Sequence, residues 1–268
     1  MTPSDTIDKL EAIWQSVSAL GDELDETQWK LPTDLPGWTV QDNLSHLIGT
    51  ERMLQGLPAA EAAAVVGEHV KNPIGHFNEA EVDARRVRSG ADVLAEWKAL
   101  ADLRSATLHG ADDEYFAKEM PTPTGLGTMA DFLHIRVLDC WIHEQDMRRA
   151  LDKPGHGGGP AAAHTIDRLV RTIPIVVGKR AATPEGGAVV IDITGGVSRH
   201  VACEVSGGRA AIVESATNEP LATVVLDSDT FLVLATGRRT AAAIADRIDI
   251  SGDQALGQRV VDNLNMMI

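Results

Sequence analysis

Arg136-Val137-Leu138-Asp139-Cys140-Trp141-Ile142-His143-Glu144-Gln145-Asp146-Met147-Arg148-Arg149 is the stretch on which the reading of this chain turns. It lies in a helix that Thr128 and Asp131 open and that the spacing carries to about Leu151. Met129, Phe132, Leu133, Ile135, Val137, Leu138, Trp141 and Ile142 make this helix apolar on nearly every side, the pattern of a buried helix. One polar line crosses it. Arg136, Asp139, Cys140 and His143 follow one another at i, i+3, i+4 and i+7, with Asp146 at the edge. A carboxylate buried alone is costly unless it is paired or bound to a metal.

A second segment, Gly37-Trp38-Thr39-Val40-Gln41-Asp42-Asn43-Leu44-Ser45-His46-Leu47, also reads as a helix, opened by Thr39 and Asp42. Val40, Leu44, Leu47, Ile48 and Leu54 form its apolar stripe, and His46 falls off the centre of that stripe, beside Asn43 and Thr50. One histidine from this helix and the Asp139/His143 pair from the other suit a three-ligand metal site. Three protein ligands leave a coordination position open, as in catalytic zinc sites. The residues alone also allow a plain Asp–His hydrogen bond and a structural His46. Two imidazoles and a carboxylate suit zinc first, and also iron, nickel or manganese.

Other polar groups have two readings each. Cys140 is a small buried hydrophobe or a reactive thiol. Arg85, Arg86 and Arg88 form one basic knot, and Arg238 and Arg239 another. Either knot is a clamp for a substrate or cofactor carboxylate, or a solvated surface. His76, read as a loop residue ahead of a helix starting at Asn78, is a general acid or base at a bundle mouth, or simply exposed. Neither a phosphate-cradling glycine loop nor a G-x-S-x-G elbow is present.

The chain has 268 residues, 44% of them hydrophobic, enough for one large domain or two ordinary ones. A net charge of −15 argues against a general nucleic-acid binder. Two cysteines, Cys140 and Cys203, make no disulfide framework and fit a reducing compartment. No signal pattern opens the chain, and no apolar run approaches the roughly 20 residues that span a bilayer. The expectation is a cytoplasmic protein with neither nucleic acid nor membrane as partner; oligomeric state stays open.

Lys153-Pro154-Gly155-His156-Gly157-Gly158-Gly159-Pro160 is the linker candidate. It separates a helical part, residues 1–152, from a part at 160–268 in which a helix precedes β-branched runs at 188–194, 200–205, 210–214 and 223–226. Gly195-Gly196 and Gly207-Gly208 suit tight hairpins. The expected second domain is α+β, an antiparallel sheet with helices on one face.

The Pro36-to-Leu47 segment resembles the PGW-to-HL signature of the DinB-like metalloprotein superfamily, and more closely its mycothiol-dependent maleylpyruvate isomerase branch. The Arg136-to-Arg149 segment resembles that branch's second signature. Val224-Val225-Leu226-Asp227-Ser228, Gly237-Arg238 and Ile250-Ser251-Gly252-Asp253 are similar to the sterol-carrier-like domain that accompanies many members. The resemblance implies an all-α four-helix bundle over residues 1–152 and a sterol-carrier-like α+β domain over 160–268. It implies a divalent metal, usually zinc, on His46, Asp139 and His143, where the family's usual carboxylate is Glu. It also implies mycothiol as a low-molecular-weight thiol cosubstrate, with a small electrophile as the other partner. Arg85, Arg86 and Arg238 are then candidates for holding the thiol or a carboxylate, and His76 for touching substrate. The expected chemistry is S-transfer or thiol-assisted cis–trans isomerisation. The rivals are a non-enzymatic small-molecule-binding protein and a metal-dependent hydrolase.

Overall fold

The structure, a computed structural model, describes residues 2–61 and 67–267. The chain divides into two compact units, Met1–His156 and Gly157–Ile268. In the first, the described helices are α1 (Ser4–Asp22), α2 (Glu26–Trp29), α3 (Val40–Leu54), α4 (Pro73–Arg86), α5 (Gly90–Gly110), α6 (Asp113–Ala117) and α7 (Met129–Leu151). Strands β1 (Glu119–Thr122) and β2 (Gly125–Thr128) form a hairpin ahead of α7. Helices α1 and α3 each pack on both α5 and α7, so four long helices close on one core, while α4 packs on α3. Buried Leu10, Ile13, Leu47, Val93, Leu133 and Val137 fill that core. Trp14 and Trp97 meet edge to face within it, ring centroids 6.4 Å apart, a favoured aromatic geometry.

Both capping boxes legible in the sequence form. Thr39 Oγ1 accepts from the Asp42 amide at 3.2 Å, and Asp42 Oδ2 accepts from the Thr39 amide at 2.9 Å. Thr128 and Asp131 do the same at the start of α7. Thr39→Ala is therefore expected to destabilise the first unit by about 1 kcal/mol. Urea unfolding followed by tryptophan fluorescence checks this, because all five tryptophans lie between residues 14 and 141; an unchanged midpoint would remove the cap from the account.

Two local expectations differ from the structure. Residues 120–128, expected as a loop, pair as β1 and β2 around a two-residue turn, Thr122 facing Gly125. Gly125 adopts φ +118 there, which side chains other than hydrogen resist. Helix α4 starts at Pro73 rather than Asn78, because the Asn72 side chain accepts from the Gly75 amide at 2.9 Å and proline suits the first helical position. His76 therefore sits within a helix, not a loop. The division between the two units falls within the linker candidate, whose first residues are held to the helical unit. Trp141 Nε1 donates to the His156 carbonyl at 2.9 Å, and His156 Nδ1 lies 2.7 Å from the buried Glu144 Oε2.

The second unit opens with α8 (Pro160–Val170), the short α9 (Ile173–Ile175) and a π-helical turn, Val176–Arg180. Then follow β3 (Ala188–Thr194), β4 (Arg199–Ser206), β5 (Arg209–Val213) and β6 (Ala222–Asp227). After them come α10 (Ser228–Ala235), a 3-10 segment at Ala241–Arg247, β7 (Asp249–Gly252) and α11 (Gln254–Asp262). The sheet order is β5-β4-β3-β6-β7. Gly207 and Gly208, both at positive φ, make the two-residue β4–β5 turn. The antiparallel expectation holds only in part. The central pair, β3 and β6, is parallel, with Val190 opposite Thr223. Residues 214–221 carry the chain back across the sheet so that β6 starts at the same end as β3. The central β3 is almost continuously buried and apolar, as befits a strand covered on both faces.

Candidate metal centre

Helix α3 carries His46, helix α7 carries Asp139 and His143, and these two helices pack together. His46 Nε2 lies 3.2 Å from Asp139 Oδ2, and His143 Nε2 lies 3.6 Å from Asp139 Oδ1. One ligand-type atom from each of the three residues lies within 4.8 Å of the other two. The imidazole centroids are 4.5 Å apart. Both histidines are buried, whereas the Asp139 side chain keeps 24% of its exposure. The carboxylate is thus the side of the cluster that solvent can reach.

Neighbouring groups set the hydrogen positions. Asn43 Nδ2 donates to the Thr39 carbonyl at 2.9 Å and to Thr33 Oγ1 at 3.3 Å. Its Oδ1 is therefore left to accept from His143 Nδ1 at 2.8 Å. With Asn43 Oδ1 at 2.8 Å and the buried Asp146 Oδ2 at 3.5 Å both facing Nδ1, a proton on that nitrogen leaves Nε2 to face Asp139 and His46, the arrangement that supports metal-ligating histidines elsewhere. His46 Nδ1 is buried without a protein partner, so its ring is held by packing and by Asp139. Trp38 forms the wall, its ring 5.3 Å from His46 and 5.9 Å from His143. Trp38 Nε1 in turn donates to the buried Glu79 Oε2 at 3.0 Å.

The Trp38 loop needs its glycine. Gly37 has φ +79, and a Cβ there would fall 2.8 Å from Cε1 of His69. The backbone angle strains any side chain there, and the His69 ring, which lies 3.2 Å from Glu79 through Nε2, would have to move to admit one.

Charge around the cluster is balanced. Burial alone would push the Asp139 carboxyl up, but His46 and Arg136 outweigh it and hold it well below the ordinary carboxylate range. Burial lowers the His46 pKa, with His143 and Arg136 acting in the same direction against the pull of Asp139. Burial pushes the Cys140 thiol far up, despite Arg136 Nη2 at 3.1 Å. Cys140 is therefore a protonated, fully buried thiol at neutral pH.

The His46 shift has a measurable sign. The unfolded imidazole takes up its proton near pH 6.5, while the folded one resists it. Between those two pKa values the unfolded chain binds more protons, so the His46 contribution to the stability of the metal-free protein falls as pH drops below about 6.5. Histidine NMR titration of metal-free protein is expected to show the His46 midpoint below that value; a midpoint at or above it would contradict the assignment.

The donor set of two imidazoles and an ionised carboxylate, one imidazole already in the right tautomer, fits a divalent ion such as zinc. The other expected site residues lie differently. Arg85 is buried, with Nη1 2.9 Å from Glu81 and Nη2 2.7 Å from Glu96. Arg86 pairs with Glu79 at 2.7 Å and reaches the Gly37 carbonyl at 3.4 Å, bracing the Trp38 loop from below. Arg88 also pairs with Glu96. Arg238 lies in the second unit, where Nη1 donates to the carbonyl of Thr236 in its own turn at 3.0 Å. His76 is exposed near the start of α4. Trp38, Asn43 and Glu51 are the contributors to which the sequence reading gave no role. Asn43 and Glu51 lie in α3, where residues 40–51 are buried without a break although many are polar, and Trp38 lies just ahead of its cap.

Residues 10–148 match the family described as mycothiol maleylpyruvate isomerase N-terminal domain, and residues 176–265 match the SCP-2 sterol transfer family. Among solved structures, that of a mycothiol-dependent maleylpyruvate isomerase is 15% identical, covers 92% of each chain and superposes with a TM-score of 0.55. At that identity the likeness speaks for the fold alone. A protein described as uncharacterized from Mycobacterium tuberculosis, in strains CDC 1551 / Oshkosh and H37Rv, is 26% identical over 151 residues. The match spans 56% of this chain and 57% of that relative's length. With the helical match covering half of its length and the sterol-transfer match following it, this chain belongs to the mycothiol maleylpyruvate isomerase N-terminal domain family.

Proposed function

We propose that this chain is a divalent-metal, thiol-dependent enzyme that joins a low-molecular-weight thiol, mycothiol or a close analogue, to a small electrophile, either for S-transfer or for thiol-assisted cis–trans isomerisation. The observation that carries this reading is the convergence of His46, Asp139 and His143 within 4.8 Å, with the His143 tautomer set by Asn43. These three residues would hold the ion, and zinc suits their donor set best. Bound there, zinc would supply a Lewis acid strong enough to bring a thiol to its thiolate near neutral pH. Trp38 walls off the two imidazoles and keeps bulk water from their faces. Asp139 stays ionised, with its exposed side facing the approach of substrate. Cys140, protonated and enclosed, does not compete as a nucleophile.

Arg85 and Arg86 already neutralise carboxylates, so any part they play in holding thiol or substrate would come through the loop and helix they brace. Arg238 and His76 remain the candidates for direct contact. Both cysteines are free and buried, which suits a reducing compartment such as the cytoplasm. No described helix is long and apolar enough to cross a membrane.

The test is metal analysis followed by thiol consumption. After metal-replete expression, less than about a tenth of an equivalent of any divalent ion would sink this reading, since an intact site binds far more tightly. Consumption of a simple electrophile is expected only when thiol is added; turnover without thiol would point to a hydrolase. A small-molecule carrier is the second reading, favoured by the sterol-transfer match over residues 176–265. It predicts ligand binding with no thiol-dependent turnover.

A further inference from the structure

We infer that Arg136 is a positioning residue for the metal centre: its guanidinium holds the Asp139 carboxylate in place before any ion arrives. The inference rests on the metal reading above and adds to it a residue outside the ligand set. Arg136 is 2% exposed and yet every nitrogen has its own acceptor. Nε donates to Glu51 Oε1 at 2.9 Å, Nη1 to Asp139 Oδ2, and Nη2 to Cys140 Sγ at 3.1 Å. Asp139 and Cys140 lie on the arginine's own helix, α7, at i+3 and i+4. Glu51 lies on α3, five residues beyond His46. The fork therefore ties the carboxylate-bearing face of one helix to the helix that carries the first histidine.

Asp139 has a short side chain, and one of its oxygens is already engaged. Oδ2 takes Arg136 and His46, which leaves Oδ1 turned to His143 Nε2 at 3.6 Å. Without Arg136 the carboxylate would be free to rotate into its exposed side. The arginine is itself fixed, because Glu51 is pinned from the far side by Arg104 Nε at 3.0 Å. Two guanidinium groups and two carboxylates alternate along this line, so their formal charges cancel. Arg136 consequently orders the carboxylate without leaving a net positive charge beside the ion.

Lysine in place of Arg136 isolates geometry from charge. Arg136→Lys keeps the positive charge, so its repulsion of a cation persists, but one ammonium cannot reproduce the planar fork. Glu51 keeps Arg104 as partner in that variant. Zinc affinity, measured by chelator competition, is expected to fall about 10- to 100-fold, and the visible spectrum of the cobalt(II)-loaded protein to change. Arg148→Lys disturbs a different largely buried ion pair on the same helix, the one with Glu144 at 2.8 Å, and shares no partner with Arg136 or Asp139; its zinc affinity is expected to stay within about twofold of wild type. Unchanged affinity and spectrum in Arg136→Lys, or an equal loss in Arg148→Lys, would overturn the inference. Should the lysine variant fail to fold, a crystal structure of zinc-loaded wild-type protein decides: Arg136 still on Asp139 supports the inference, and Arg136 swung away from it overturns it. Wild-type protein that binds no metal would instead defeat the metal reading itself.

Discussion

His143→Ala is expected to leave a folded protein that has lost its metal. Bound divalent ion should drop from about one equivalent to below about a tenth, because two remaining ligands do not make a closed site. Thiol-dependent turnover should fall at least about 100-fold, beyond the range seen when only a supporting group is removed. The fold should survive. His143 is one imidazole on a helix whose packing rests on Phe132, Leu133, Val137 and Trp141. Asn43→Ala separates tautomer control from ligation. It leaves all three ligands but takes away the nearer acceptor of His143 Nδ1, leaving only Asp146 Oδ2 at 3.5 Å, and affinity should fall about tenfold. Metal content by mass spectrometry and thiol consumption with a simple electrophile are the two readings. A His143→Ala protein with wild-type metal and wild-type rate would take this cluster out of the chemistry.

Glu51→Ala should be the most destabilising single change in the first unit. Glu51 is 1% exposed and is shared by Arg104 and Arg136, which are 0% and 2% exposed. Removing it leaves two guanidinium groups facing each other in the interior. Breaking one buried pair by deleting a partner costs about 3–5 kcal/mol, and the cost should fall in that range because Arg136 keeps Asp139 while Arg104 keeps only the neutral Gln55 and Tyr115. For a unit of this size the midpoint of thermal unfolding should fall by roughly 10 °C or more. Tryptophan fluorescence reports this unit alone, since every tryptophan lies within it. The contrast is the exposed Lys98–Asp22 pair between α5 and α1, whose loss should cost under about 1 kcal/mol. A Glu51→Ala protein that unfolds within about 1 kcal/mol of wild type would show that water or rearrangement satisfies both arginines.

Both expectations depend on how much of the cluster was legible in one dimension. Asp139 and His143 share a face because four residues nearly complete a helical turn. Their helix is apolar all round, so the polar line had to be buried and therefore had to be partnered. His46 stood off its own apolar stripe for the same reason. Thr39 with Asp42, and Thr128 with Asp131, marked both helix starts, since a cap needs only atoms three residues apart. These are local periodicities, and they survive folding unchanged.

Other features depended on which of several partners, near or far in the sequence, each group met. His76 was read as a loop residue because Asn78 looked like a helix start; Asn72 with Pro73 captured the cap instead. The basic knot at Arg85, Arg86 and Arg88 looked available for a ligand, yet Glu81 and Glu79 on the same helix take Arg85 and Arg86, and Glu96 on α5 takes Arg85 and Arg88. The parallel β3–β6 pair was hidden for a similar reason. Alternation shows that a run is a strand, but not which strand it joins.

By itself, the sequence of this protein determined two differently built halves, the capped helices, the polar line on α7 and the three residues suited to an ion. Tertiary structure alone decided that His46 meets Asp139 across two helices, that Asn43 sets the proton on His143, and that Trp38 walls the cluster. It also decided that Arg136 links Asp139 to Glu51. The physical reason is range. Caps and helical faces arise from bonds spanning three or four residues, whereas a metal cluster and its supporting charges exist only where packing brings α3 against α7.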